Sequence, residues 1–401
     1  MFNREVLAAR RHPSLASVQY FEVLRRIKTE FGDKYYFYFT NHGVLTNIEE
    51  HGWKHANSGS PSAMLKHGGR LFRDRESVSS LFLETRSSEA AVLLVAFANY
   101  YLARGSVTGY LRFINEYLTY RNISGISFVD LKSGDIPTFR NWVSTICKKE
   151  VGLLPTDGKP KVSIIMPAFN NGSTIRWSIL SIVNQSFADW ELLVVDDAST
   201  DNTAIVVSDL AKSDKRISLI QNSANIGTYL SRNRALRVAL GEYVTVLDAD
   251  DFAVANRLEL QYKQVRLAAS PGHIGGYVRM NEDCYLTDFR KASQWSYDGV
   301  THRCLASIFL NREFLLNRLG RWDAVRFGGD AELYARALKI DSDTFVESRA
   351  PLIIALNRCV SLTNSPGSEL GSAARQAYID HFSRWHESAH QSELRLPEIA
   401  H

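Results

Sequence analysis

The residues best equipped for chemistry are carboxylates that recur in short clusters, Asp196-Asp197 with Asp201 in one and Asp248-Ala249-Asp250-Asp251 in another. Ahead of both stands Pro167-Ala168-Phe169-Asn170-Asn171, the end of an apolar run. Carboxylates gathered in one place repel and raise each other's pKa unless a cation sits among them. Mg2+ or Mn2+ resolves that conflict, because either ion prefers oxygen ligands and joins one or two carboxylates to phosphates of a substrate. The chemistry implied is recognition of a diphosphate through an acid-held metal. Each piece has a plainer reading alone. Asp-x-Asp turns up in solvated turns, Asp201 could simply cap the next helix, and Asp251 could open one, where the dipole favours a carboxylate.

Local patterning supplies the elements that must bring these clusters together. Apolar runs predict strands over 162–168, 191–195, 217–221 and 243–247, with helices over 174–187, 202–212 and 228–240 between them. Such alternation predicts a doubly wound, mostly parallel α/β sheet with both faces covered. Sheets of this kind bind ligands beyond the carboxyl ends of their strands. The three clusters fall at the ends of the first, second and fourth strands. That shared edge gives them their weight.

The chain has 401 residues, which argues for two domains. Residues 1–155 read as a smaller, mainly helical accessory domain, with helices over 15–31, 76–104 (broken near 86–88), 107–118 and 139–147. The aromatic run Tyr35 to Phe39 reads as a short strand or buried loop, and 51–69 as loop. The turn formers of 156–160 make a linker, 161–364 the α/β domain and 365–401 a helical tail. With 45% hydrophobic and 22% charged residues the composition is globular, and a net charge of +4 is too small for a nucleic-acid-binding surface. Cys147, Cys284, Cys304 and Cys359 lie far apart, which fits a reducing cytosol better than a zinc knuckle or a disulfide framework. The most apolar stretch, 90–101, falls short of the ~20 residues that span a bilayer. A lipid-linked substrate would therefore have to be met peripherally, from the cytosolic face of the membrane.

Four motifs in order carry a resemblance: Ser163-Ile164-Ile165-Met166-Pro167-Ala168-Phe169-Asn170, Val195-Asp196-Asp197-Ala198-Ser199-Thr200-Asp201, Asn225-Ile226-Gly227 with Ser231-Arg232-Asn233, and 241–251 ending in Asp248-Ala249-Asp250-Asp251. Over 161–265 the chain resembles the inverting family-2 glycosyltransferases of bacterial surface-glycan type, which have the GT-A fold; to about Asn357 the match is looser. The resemblance implies that Pro167, Ala168 and Phe169 line the nucleoside pocket, that Asp197 or Asp196 contacts base or ribose, and that Arg232 lies near the diphosphate. Asp248 and Asp250 would form the ribose-diphosphate and metal motif, Asp250 being the more direct ligand of Mn2+ or Mg2+. Inversion needs a general base on the acceptor hydroxyl, and the resemblance puts it at Asp330 in Phe327-Gly328-Gly329-Asp330-Ala331-Glu332. One departure stands out: Gly329 occupies the place where the family often has Glu. An N-cap role for Asp330 is compatible with that of a base.

The expected partners are a nucleotide-sugar donor, UDP-linked by family frequency, and a glycan or lipid-linked saccharide acceptor. A sugar-1-phosphate nucleotidylyltransferase is the competing enzyme, disfavoured because Asn170-Asn171-Gly172-Ser173 is not a basic glycine-rich loop. A non-catalytic transferase-like binding subunit is the third reading. His386-Glu387-Ser388-Ala389-His390 matches a zinc-protease pattern, but a polar helix face is its expected role. Arg336 could be a solvent-exposed helix residue, Trp322 is expected in the core, and Trp295 is expected there too although its ring could stack on a sugar. Arg358 could fold back over the donor phosphates.

Overall fold

A computed structural model of the protein describes residues 107–120, 159–281, 286–288, 294–298, 300–357 and 372–397, together with Val95 and Ala98. The helices expected over 15–31 and 139–147, all of 76–104 except those two helical residues, Tyr35 to Phe39, the loop over 51–69, the first part of the linker and Arg358 lie outside the described residues. The chain divides into two compact units: one of Met1–Ile146, Tyr277–Arg303 and Arg349–Pro351, the other of Cys147–Gly276, Cys304–Ser348 and Leu352–His401.

In the first unit, helix α1 (Val107–Tyr120) follows the expected pattern. Its buried residues Tyr110, Phe113, Ile114 and Tyr117 recur at the spacing of one helical face. The Tyr117 hydroxyl donates to Asp298 at 3.1 Å and also meets the Thr301 hydroxyl. Asp298 is buried and accepts the backbone N–H groups of Val300 and Thr301 as well, so its charge is met by three donors.

The second unit begins with the alternation the sequence predicts: β1 (Val162–Ala168), α2 (Ile175–Val183), β2 (Trp190–Asp196), α3 (Thr203–Ser213), β3 (Ile217–Gln221), α4 (Thr228–Leu236) and β4 (Tyr243–Val246). Then come β5 (Phe252–Ala253), α5 (Arg257–Ala268) and β6 (Gly272–Met280), the last of which runs on into the first unit, where β7 (Leu286–Thr287) and β8 (His302–Arg303) lie; β9 (Phe309–Asn311), α6 (Gly329–Ile340), β10 (Phe345–Leu356) and α7 (Ala373–Ser388) follow. Among the described residues of the second unit the strands form a mixed sheet, in the order β3-β2-β1-β4-β9-β6-β10-β5; in the first unit β7 pairs with the end of β6 at Arg279 and Met280.

β1 is central to the parallel part, pairing with β2 and β4, and every one of its residues is buried. A strand covered on both faces has no polar side to alternate with, which is why Val162 to Ala168 reads as a continuous apolar run. The parallel arrangement holds for β1 to β4, whereas β4 to β9, β9 to β6 and β5 to β10 pair antiparallel. Register fixes the working edge. Ala168 pairs with Asp196, and Asp196 with Gln221, so three strands stop at one level. Leu247 continues β4 by donating to the Ile165 carbonyl at 3.1 Å, which carries Asp248 to the same edge.

Behind that edge, Val246, Ile274, Leu310, Leu319, Trp322, Leu333 and Ala337 share one core. It fastens α6 against the sheet. Trp322 is 1% exposed and thus a core residue.

Candidate active site

The first strand end is a latched corner. Phe169 is 47% exposed just beyond buried Pro167 and Ala168, so an aromatic face stands open at the tip of β1. Asn170 takes a left-handed φ of 52°, which asparagine tolerates better than most residues. Its N–H donates to Ser199 Oγ and its side-chain oxygen accepts from the Thr200 N–H, both at 2.9 Å. Asp201 ties the same corner, accepting from Gly172 N–H at 2.9 Å and Thr203 N–H at 3.0 Å. Burial alone would raise the Asp201 pKa, but these donors and the Thr203 hydroxyl outweigh it and hold the carboxylate below its ordinary range. Asp201 thus serves the helix start as expected, although α3 itself begins at Thr203 and the cap position belongs to Asn202.

Asp196 and Asp197 are both buried but do different work. Asp197 accepts from the Asn222 amide at 2.7 Å, Ile226 N–H at 2.9 Å and Gly227 N–H at 2.8 Å. It therefore organises the loop that enters α4, where Gly227 has φ 93° and no side chain to clash. Asp196 accepts only the Ser199 N–H, at 3.2 Å, among the described residues.

Tyr229 and Arg232 stand three apart on α4 and therefore share a face. Arg232 is 1% exposed, and its guanidinium forks between two carboxylates: Nη1 to Asp330 at 2.6 Å, Nη2 to Asp248 at 2.9 Å. Its Nε has no partner among the described residues. Burial works against the charged guanidinium, yet Asp330 and then Asp248 more than compensate, so its pKa lies above the ordinary value. Asp330 is the second residue of α6 and its side chain is 16% exposed. Burial is the largest influence on it and raises its pKa; Arg232 opposes, Asp248 adds to the rise, and the net shift is upward. The Tyr229 hydroxyl donates to the other Asp330 oxygen at 3.2 Å.

The bareness of Gly329 has a structural cause. A Cβ there would come within 3.0 Å of three carbons of the Tyr229 ring. A side chain there would need the Tyr229 ring to give by a few tenths of an ångström.

Asp248, Ala249, Asp250 and Asp251 form a turn closed by the Asp251 N–H donating to the Asp248 carbonyl at 3.0 Å. The Ala249 carbonyl accepts from Ser178 Oγ at 2.9 Å and Thr174 Oγ1 at 3.1 Å, so α2 fixes the turn from below. Asp248 is 41% exposed at its side chain and Asp250 is partly buried. Asp251 does not open the following helix, contrary to that reading of the sequence. It accepts from Leu356 N–H at 3.1 Å, and β5 intervenes before α5 starts at Arg257. Arg257 is wholly buried under the end of β4, donating to Thr245 Oγ1 and the Val246 carbonyl, both at 2.8 Å. Burial lowers its pKa to about 10, against the pull of Cys304, Asp251 and Asp248.

No group of three or more His, Cys, Asp or Glu side chains suited to a metal occurs among the described residues. The donor set at the edge is the pair Asp248 and Asp250, two positions apart on a fixed turn. Such a pair fits a Mg2+ or Mn2+ ion that takes its remaining oxygens from phosphate and water.

Other sequence readings resolve plainly. Arg336 is buried, not solvent-exposed: it donates to Glu332 at 2.7 and 2.9 Å and to the carbonyls of Leu319 and Arg321. His386 also meets Glu332, at 3.0 Å, while His390 lies beyond the end of α7. The two histidines therefore do not share a helical turn, and the zinc-protease pattern is incidental. Trp295 is 41% exposed, with the Arg303 guanidinium 5.5 Å from its ring, which differs from the core position expected. Tyr229 and Asn222 were not singled out in the sequence. Tyr229 had one signal, its spacing of three from Arg232.

With this geometry in place the comparisons with known proteins are specific. Residues 163–310 match the family described as Glycosyl transferase family 2. The chain carries a family-2 glycosyltransferase domain. One relative is the Escherichia coli UDP-Glc:alpha-D-GlcNAc-diphosphoundecaprenol beta-1,3-glucosyltransferase WfgD, 38% identical over 143 residues, 36% of this chain and 56% of that protein. Another is the Streptococcus pneumoniae glycosyltransferase GlyG, 26% identical over 46% of this chain and 67% of that protein. Among solved structures, S. aureus TarS 1-349 in complex with UDP gives a TM-score of 0.42 at 20% identity, covering 58% of this chain and 73% of that one. The family-2 domain here spans about half the length of the E. coli relative.

Proposed function

We propose that this chain is an inverting glycosyltransferase that moves a sugar from a nucleotide-diphosphate sugar, with UDP as the nucleotide, to a hydroxyl of a saccharide or lipid-linked glycan. The observation that carries the reading is the Arg232 fork. One buried guanidinium joins Asp248, on the edge where a diphosphate would lie, to Asp330, the carboxylate suited to act as base. Donor side and acceptor side are thereby held one side chain apart, the pre-organisation a displacement requires.

In this reading Phe169 offers an aromatic face to the base, and Asp196 rather than Asp197 contacts the nucleoside, because Asp197 already accepts three protein donors. Asp250 and Asp248 hold Mn2+ or Mg2+, whose chemistry when bound is to neutralise charge on the departing diphosphate. Asp330 accepts the proton of the acceptor hydroxyl as that oxygen bonds to the anomeric carbon; the bond from that carbon to the diphosphate oxygen breaks on the opposite face. The raised pKa of Asp330 makes it a better base than an exposed aspartate. Arg232, being held by both carboxylates, opposes burial by favouring the ionised form of Asp330.

The acceptor reading draws on the E. coli relative, whose name specifies a diphosphoundecaprenol-linked sugar. Among the described residues no helix is long and apolar enough to cross a membrane; peripheral contact with such an acceptor at the cytosolic face is part of the same proposal. Residues 1–155 would be a helical accessory domain. Calorimetry with UDP tests the donor side: Mn2+ should tighten binding at least tenfold, and Asp250→Ala should abolish that gain. Equal UDP affinity with and without Mn2+ would overturn the metal assignment.

A further inference from the structure

We infer that Tyr229 is a positioning residue for Asp330, its hydroxyl fixing the carboxylate plane from the space that Gly329 leaves bare. The inference deepens the reading of Asp330 as general base and rests on it. An aspartate carboxylate turns freely, since its last torsion joins sp3 to sp2 carbon and is broad and two-fold. One hydrogen bond leaves that rotation loose, whereas donors on both oxygens define the plane. Arg232 engages one Asp330 oxygen at 2.6 Å and Tyr229 the other at 3.2 Å. The Asp330 N–H in turn donates to the same phenol oxygen at 3.4 Å, so Tyr229 grips the residue through main chain and side chain together.

The ring is held for this purpose. Tyr229 is 7% exposed and lies against Gly329, where even a methyl group would meet three ring carbons at 3.0 Å. The Arg232 guanidinium stands 5.2 Å from the ring centroid. Burial, reinforced by the negative charge of Asp330, pushes the phenol above its ordinary pKa, so its proton stays available for donation across the working pH range. With a donor on each oxygen, the remaining lone pairs of Asp330 lie in a fixed plane, one on each oxygen. The charged and titratable groups facing Asp330 are Tyr229 and Arg232 from α4 and Asp248 from the turn after β4. Glu332 on its own helix is turned to Arg336 and His386, and Tyr378 of α7 packs against Gly328 with its hydroxyl on Asp323 at 2.9 Å.

The test is Tyr229→Phe, which keeps the ring and removes only the hydroxyl. Loss of a donor to the ionised form must raise the Asp330 pKa. Carbon-13 NMR of carboxyl-labelled aspartate, with the Asp330 resonance assigned by its disappearance in Asp330→Asn, should show the midpoint rising by about 0.5 to 1 pH unit. Calorimetric affinity for UDP with Mn2+ should stay within about twofold, because donor binding lies on the Asp248 side. Gly329→Ala, which displaces the intact ring, should move the midpoint the same way and guards against a folding defect in the first variant. An unchanged midpoint in both variants would overturn the role of Tyr229. This titration needs no turnover, so it is independent of the base assignment, which fails instead if Asp330→Asn retains transfer.

Discussion

Two buried arginines in the second unit hold aspartate or glutamate on the same helix, α6, and they are built differently. Arg336 faces Glu332 from one turn away and completes its fork with the carbonyls of Leu319 and Arg321; Glu332 also meets His386. Both side chains are wholly buried. Arg232 instead reaches between elements, from α4 to Asp330 on α6 and to Asp248 after β4, and Asp248 is 41% exposed. Its Nε is left without a partner among the described residues. The closed network fixes helix against core, which is a structural task. The open network leaves that buried guanidinium N–H unpaired, which is costly, and presents Asp248 to solvent, where a ligand could reach it.

That contrast can be broken from either end. Asp330→Asn should give the largest effect, a fall in transfer of about a thousandfold or more with UDP–Mn2+ affinity retained, since only the proton acceptor is lost; steady-state kinetics beside calorimetry would read it. Arg336→Ala should do the reverse. It strands buried Glu332, so chemical denaturation should report a loss of about 3–5 kcal/mol, with any surviving folded protein still binding UDP. The smallest effect concerns pH. An aspartate whose folded pKa is raised loses its charge at a higher pH than an exposed one. The acid limb of kcat/KM should therefore lie above the ~3.9 of an ordinary aspartate, and activity should fall as pH drops through it. An acid limb at the ordinary value would make Asp330 no different from a surface carboxylate.

The sequence made the parallel half legible because β1 and β2 are buried on both faces, and only apolar runs satisfy that condition. Strand-end motifs followed, since register carries the ends of successive parallel strands to one edge. The antiparallel half was less readable. β7 and β8 are two residues long and β9 three, too short for alternation to declare itself. Long-range pairs left almost no trace. Nothing local says that Tyr229 lies against Gly329, or that His386 meets a glutamate 54 positions earlier. Arg336 looked like a surface residue because a lone arginine on an amphipathic helix usually is one. Its Glu332 partner at i−4 was visible, but burial of the pair was not, because burial depends on the carbonyls and on α7 that close over it.

Asn233, next to Arg232 on α4, grips the main chain of Trp322 from both sides, donating to its carbonyl at 2.9 Å and accepting its N–H at 3.0 Å. Adjacent residues of one turn thus secure the reacting edge and the segment that leads into α6. The helix acts as a ruler with both marks on a single turn, so the gap between Asp248 and Asp330 is set locally rather than by the sum of many loops. One residue inserted ahead of Arg232 would swing both marks by about 100°. Length changes elsewhere in the unit could accumulate without altering that gap, while α4 itself has no such freedom.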